Sequence, residues 1–284
     1  MALMSEKIVE LFTVPTHRPD VDWEAVVRNK HCDYLDRMCV KTRKSRPDIA
    51  IGTCTVQHGR VPADIIICPH RFLERKQIFI DCLHLLTLHE PGNLLHVVSE
   101  ISIPGGSVDY FLVSVKGGKV VDFVGIELQA VDTTGTVWPA RQRFLKSVGI
   151  DVDETDANSV SSYGMNWKMT AKTTLVQLHH KVKTFEHVNK HFVLVLQDFL
   201  LAYMAREFSF AHIGEAKLGD LMHFHAYTLR REEAQNRLEL TARTSTDSDG
   251  IAVCLGLQAS PNVELSEIIA TLQNKISERN RLSI

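Results

Sequence analysis

Apolar and polar residues alternate along residues 109–115 (DYFLVSV), the pattern of a strand with one buried face. Gly117-Gly118 then offers a tight reversal, and residues 120–131 return as a second strand rich in β-branched side chains, so the segment reads as a hairpin. A strand-like run, residues 94–103, precedes it and stops at Pro104-Gly105-Gly106. After it come a short basic helix (ARQRFLKSVG) and an acidic, hydrophobe-poor mobile loop over residues 151–162. A helix over residues 166–188 follows, carrying Met169, Leu175, Leu178, Val182 and Phe185 at helical spacing with lysines between them. Residues 191–197 form a core strand, Asp198 caps a helix over 198–208, and residues 222–227 alternate as a strand. Ser260-Pro261 opens a last helix with an apolar stripe of Leu265, Ile268, Ile269, Leu272 and Ile276. Ahead of the hairpin, residues 6–12 and 22–28 read as short helices, residues 64–68 as a buried strand, and residues 71–86 as one continuous helix. The succession predicts an α/β protein with a mixed central sheet flanked by helices.

The hairpin carries acids at one end. Glu127 and Gln129 are two residues apart and share a strand face, with Leu128 on the other. Asp109 starts the partner strand, and pairing through the Gly-Gly turn sets it close to Glu127. Two carboxylates and an amide oxygen suit a hard divalent cation such as Mg²⁺ beside a phosphate. Solvent-facing acids on an ordinary hairpin are the plainer explanation. Val124, Ile126 and Leu128 argue against it, because an acid on a buried strand costs stability without a ligand. Glu100, the acid of the preceding strand, is a third carboxylate for the same end.

The net charge of −2 is spread unevenly: residues 28–76 hold 11 Lys or Arg against 5 Asp or Glu, a surface suited to phosphates. The same stretch holds Cys32, Cys39, Cys54 and Cys68, three of them beside turn-forming or polar residues. Loop-borne thiolates suit a four-cysteine site for zinc or iron; buried core thiols explain the same spacing, and His31, His58 and His70 are rival ligands. Cys82, inside an apolar run, reads as a core thiol. No run approaches the roughly 18 apolar residues of a membrane span. The start, MALMSEKIVELF, lacks a basic segment followed by an apolar core, so the expected location is the cytoplasm. At 284 residues the chain is read as a single domain.

A strand at Glu100, a strand at Asp109, a strand with Glu127 and Gln129, a basic helix and a strand at Val193 resemble the metal-dependent nuclease core written PD-(D/E)XK. This chain has E-x-Q where that pattern has E-x-K, a variant that some restriction endonucleases of the fold carry. The stretches GTCTVQHG, IICPHRF, GGSVDYFLV and FVGIELQAVDTTGTVWP look like the NotI type of restriction endonuclease, with similarity over most of residues 30–200.

That resemblance implies a homodimeric type II restriction endonuclease that cuts double-stranded DNA with Mg²⁺, without a nucleotide cofactor or a membrane. Asp109, Glu127 and Gln129 match its catalytic motif and Glu100 matches in part. Mg²⁺ would lie on Asp109 and Glu127, with Gln129 orienting the attacking water. Cys32, Cys39, Cys54 and Cys68 become ligands of one structural iron, with zinc as the alternative. The implied organisation is a single nuclease domain over residues 1–284, a four-cysteine subregion over 28–76 and a catalytic core over 94–200. Lys41, Arg43, Lys44 and Arg46 would lie over DNA, and Arg141 and Arg143 near backbone phosphates. The competing reading is a non-catalytic four-cysteine protein that binds DNA, which has no use for the acids of the hairpin.

Overall fold

The computed structural model describes residues 7–43, 46–257, 268–270 and 273–274. Lys44 and most of the last predicted helix lie outside the described residues. The chain opens with an antiparallel sheet of four strands, β1 (Lys7–Leu11), β2 (Val14–Pro15), β3 (Thr53–His58) and β4 (Ala63–Ile66), in the order β2-β1-β3-β4. Helix α1 (Trp23–Asn29) is inserted after β2, with the Asp22 carboxylate accepting from Ala25 N at 2.9 Å.

The central sheet holds β5 (Leu94–Ile103), β6 (Gly106–Lys116), β7 (Lys119–Gln129), β8 (Phe192–Gln197), β9 (Gly214–Glu215), β10 (Met222–Arg231) and β11 (Asn236–Thr246). Their order is β9-β11-β10-β8-β7-β6-β5. β8 runs parallel to both β7 and β10, and the remaining pairs are antiparallel. Every residue of β8 is buried. Its unbroken apolar run, FVLVL, is what a central parallel strand covered on both faces requires.

Two apolar layers cover the sheet. On one face α3 (Trp167–His187), which follows α2 (Trp138–Ser147), sets Leu175, Leu178, Val182 and Phe185 against Phe111, Phe192 and Leu194. On the other, Phe72, Ile78, Phe79 and Leu85 meet Leu112, Ile126, Leu128, Val193 and Val195. Among the described residues no helix is long and apolar enough to cross a membrane.

Three local expectations change. Residues 6–12 were expected to be helical, but Lys7–Leu11 is a strand; pairing with β3 decides a short apolar run whose periodicity fits either form. The continuous helix over residues 71–86 is broken into a 3₁₀ turn (Pro69–Lys76), a helix (Gln77–Asp81) and a second 3₁₀ turn (Leu83–Leu85). The break falls at Glu74 and Arg75, the latter with φ of 51°. The loop over residues 151–162 includes a helical turn, Glu154–Ala157, pinned through Asp156, which accepts from Trp138 Nε1 at 2.6 Å and Arg43 at 3.2 Å.

The break in residues 69–86 coincides with a buried ion pair. Arg71 is 0% exposed and its Nε donates to both oxygens of Glu10, at 3.0 and 2.8 Å. Its remaining nitrogens reach Glu74 at 2.9 Å and the Asn236 carbonyl at 2.9 Å, and the guanidinium lies over the Tyr34 ring. Thr55 and Asn236 complete the shell of Glu10. One side chain thus ties the N-terminal sheet to the central one. Replacing Arg71 by Met would strand the Glu10 carboxylate in the interior, and urea unfolding should read a loss of about 3–5 kcal/mol.

Candidate active site and cysteine element

The hairpin of β6 and β7 pairs Tyr110 with Ile126, and a bulge between Ser114 and Val115 adjusts the register near the turn. One step further along the strands Asp109 faces Glu127, and Asp109 Oδ2 accepts from Leu128 N at 2.8 Å. On the other side of β6 the pairs Val108–Ile101 and Tyr110–Ser99 bracket Glu100, which therefore stands opposite Asp109. Glu100 has φ of 55°, a left-handed backbone inside a strand. Asp109 and Glu127 thus meet at one end of the sheet, Glu100 lies exposed on the edge strand beside them, and among the described residues no group of three such acids has the arrangement of a metal site.

Their surroundings are partly dry. Burial holds the Asp109 carboxyl above its usual range, against the opposing pull of the Leu128 N–H and the Lys181 charge. Burial and then the Asp109 charge do the same to Glu127. Glu127 Oε1 pairs with Lys181 Nζ at 2.6 Å, while Oε2 is buried without a hydrogen-bond partner. An unpartnered carboxylate oxygen in the interior is costly, and it is the atom a cation would claim.

Gln129 is held by the protein itself: its Nε2 donates to the Ala130 carbonyl at 2.6 Å and its Oε1 accepts from Thr174 Oγ1 at 2.9 Å. The cation next to the acids is Lys181, from α3, which sequence reading passed over as one of the lysines between apolar positions. The signal was present, since Thr174, Leu178, Lys181 and Phe185 follow the 3–4 spacing of the buried face. A lysine on that stripe needs a buried anion. Two glycines make room for it: a Cβ at Gly105 would sit 2.8 Å from the His180 carbonyl, and one at Gly106 3.2 Å from Lys181 Cε. Thr184 Oγ1 donates to the Pro104 carbonyl at 2.7 Å and closes the same turn on α3. His70 reaches the site from the opposite layer, interacting with Asp109 and Glu100, with Nδ1 buried and unpartnered.

Cys32, Cys54 and Cys68 are buried and Cys39 is half-buried. Just past the end of β4, Cys68 N donates to the Cys54 carbonyl at 3.2 Å. The neighbouring Cys54 thiol, and then Lys41, draw Cys68 down to about 6, whereas Cys54 is pushed up. Burial pushes the Cys32 thiol up. Among the described residues, however, no group of three or more His, Cys, Asp or Glu side chains has the arrangement of a metal site. The expected four-cysteine metal element is therefore not formed among the described residues. Of the rival ligands, His31 lies beside Asp33 and Asp36, and His58 beside Tyr163. Cys82 is a fully buried thiol.

The basic residues divide. Arg141, expected near backbone phosphates, is 4% exposed, donates to the Ile51 carbonyl and Gln142, and stacks on Trp138. The core takes it because aromatic faces and a carbonyl satisfy the guanidinium there. Arg43 is likewise engaged inward, with both terminal nitrogens on Asp156 and its plane over Trp138. Lys41 donates to the Ile67 carbonyl at 2.7 Å. Arg46, beside Asp48, and Arg143, bonded to the Ser159 carbonyl, keep exposed side chains.

A family model described as Restriction endonuclease NotI matches residues 28–239, which include both the cysteine element and all the acids above. The chain belongs to the NotI restriction endonuclease family. No curated protein and no solved structure matches it. In this NotI-family chain the matched segment begins just ahead of the cysteines and ends in β11, taking in β3 and β4 of the first sheet but not β1 and β2.

The raised Asp109 carboxyl has a thermodynamic consequence. Its folded-state pKa lies above the unfolded one, so its stabilising contribution is complete at acid pH and is lost as pH rises through the folded value. Asn at this position keeps an oxygen for Leu128 N and removes the charge. The Asp109→Asn protein should melt above the parent at neutral pH, and the gap should close as pH falls toward about 4. Calorimetry across that range would read it; a gap independent of pH would contradict the assignment.

Proposed function

We propose that this chain is a type II restriction endonuclease that hydrolyses phosphodiester bonds of double-stranded DNA with Mg²⁺ held by Asp109 and Glu127. The observation that carries this reading is the buried, unpartnered Oε2 of Glu127 facing Asp109, in a chain of the NotI family. The donors fit the ion, because both acids offer hard oxygens and each uses only one oxygen on the protein. When bound, Mg²⁺ would activate a water and offset charge building on the scissile phosphate. The succession β5 to β8 with its acids on adjacent strands supports a PD-(D/E)XK core.

The chain's own residues have separate tasks. Asp109 and Glu127 place negative charge at the strand ends, and Glu100 adds a carboxylate at the rim. Lys181 fixes the rotamer of Glu127 and, from α3, sets a positive charge beside the acids, while β7 carries Gln129 at the third position of E-x-Q. We read Gln129 as a positioning residue that joins β7 to α3 through Thr174. The acids' raised pKa values mean that carboxylates ionise less readily in acid, so cleavage should fall as pH drops below neutral.

Cys32, Cys39, Cys54 and Cys68 are proposed as ligands of one structural iron, with zinc equally suited to four thiolates. Cys32, Cys54 and Cys68 are buried, Cys39 is half-buried and the Cys68 thiol is drawn down to about 6, which supports a sulfur donor set. The metal would act as a folding staple. DNA is proposed to meet Arg46, Lys44 and Arg143, and the active protein is proposed to be a homodimer.

Asp109→Ala and Glu127→Ala should abolish cutting of a DNA of known sequence in Mg²⁺, while Lys181→Met should slow it by about 10²–10³. Mapping the ends would also give the recognised site. Undiminished cleavage by Asp109→Ala would overturn the catalytic assignment. Elemental analysis should find about one iron or zinc per chain, lost in Cys68→Ser together with thermal stability. Four native thiols that titrate with no metal present would return the cysteines to the core.

A further inference from the structure

Beside the acids of the candidate centre the chain sets charge of the opposite sign. Residues 31–38 form a small hairpin in which His31 pairs with Met38 and Cys32 with Arg37, and Leu35 N donates to the Cys32 carbonyl at 3.1 Å. Tyr34 and Leu35 of its turn pack on the same apolar layer that Tyr110 joins, and the Arg71 guanidinium lies over the Tyr34 ring. Arg71 thereby sets two neighbours of the site at once: the hairpin, through Tyr34, and His70, the residue that precedes it in the chain. Arg37 is exposed and acts on both His70 and the Tyr110 phenol, the same two groups that feel Asp109 and Glu100. A guanidinium, an imidazole and the acids therefore share one neighbourhood.

Neither Arg37 nor His70 is spent on the protein. Arg43 and Arg46 stand by Asp156 and Asp48, and Lys181 is paired with Glu127, but among the described residues no carboxylate is paired with Arg37. His70 Nδ1 is buried without a hydrogen-bond partner. A buried lone pair is tolerated better than a buried N–H, so the ring proton belongs on Nε2 and makes that atom a donor. An exposed guanidinium fork beside an N–H donor matches the oxygens of a phosphate diester. The site also has need of such a cation, because Asp109, Glu127 and Glu100 outnumber Lys181 and repel a polyanion that must approach them closely.

We propose that Arg37 and His70 grip a backbone phosphate of the DNA strand being cut, Arg37 with its fork on the two non-bridging oxygens and His70 through Nε2–H on one of them. The place of that phosphate, next to the acids, rests on the nuclease reading. Both side chains hold the diester as it arrives and neither takes part in breaking a bond, so they act on KM and leave kcat as it is.

Fluorescence anisotropy of a short labelled duplex, in EDTA so that nothing is cut, reads the grip. Arg37→Gln should weaken binding about tenfold and lower the slope of log affinity against log salt by about one. His70→Ala should weaken binding without moving that slope, while His70→Gln, which keeps a donor, should stay near the parent. In Mg²⁺ the Arg37→Gln loss should appear in KM with kcat unchanged. A neutral methylphosphonate in place of the phosphate beside the cut should cost the parent affinity and cost Arg37→Gln almost nothing. An unchanged slope in Arg37→Gln, or a methylphosphonate that costs both proteins equally, would overturn the proposal; so would His70→Gln binding as weakly as His70→Ala. Should Arg37→Gln lose the parent's circular dichroism spectrum, Arg37→Lys takes its place: it keeps the charge and loses the fork, so the slope should hold while affinity falls, and parent affinity would overturn the grip. A slope lowered by about one in a protein that cuts no DNA would keep the phosphate grip and remove the nuclease; cleavage with an unchanged slope would do the reverse.

Discussion

The wholly buried Arg71 is the constraint on which the arrangement of layers depends. Its three nitrogens donate to Glu10, Glu74 and the Asn236 carbonyl, which belong to the first strand of the chain, a 3₁₀ turn and the last strand of the central sheet. A guanidinium in the interior is tolerated only when its charge and its donors are matched, so these three segments must meet in one geometry. The covering layer of residues 69–86 is thereby fixed against the sheet, and with it Cys68 and His70 on one side and the cover of Leu112, Ile126 and Leu128 on the other. A straight helix over residues 71–86 could not satisfy Arg71 and cover the sheet at once, which accounts for the break at Glu74 and Arg75.

A second buried charge pair does for function what the first does for architecture. Lys181 and Glu127 meet at 2.6 Å between α3 and the sheet, yet the pair is incomplete because Glu127 Oε2 has no partner and Asp109 stands beside it. Stability alone would favour a neutral, closed arrangement. The surplus negative charge kept at the strand ends is a cost that a bound cation would repay, and this imbalance separates the site from the network around Arg71, where both oxygens of Glu10 are bonded.

The order of strands and helices and the acids at one strand end were legible in the chain because they follow from short-range rules. Alternation and the Gly-Gly turn set β6 and β7 with Asp109 near Glu127, and the unbroken apolar run of β8 marked a central strand. Where local rules give two answers, sequence reading failed. Residues 7–11 fit a helix or a strand until β3 pairs with them, and nothing near Arg141 foretells that the Ile51 carbonyl, 90 residues away, will join Trp138 in taking it into the core. Arg43 was withdrawn from the surface by Asp156, more than a hundred residues away.

By itself the sequence determined which residue types were available to do chemistry: two acids and an amide on a hairpin, four thiols ahead of it, and a basic N-terminal stretch. Only the tertiary structure decided which of them meet. It set Lys181 of α3, 54 residues beyond Glu127, beside the acids, and it left β5 as an apolar edge. The physical reason is the same in both cases: a charge or an apolar edge acquires its meaning from the partner it is buried against, and that partner is chosen by chain topology.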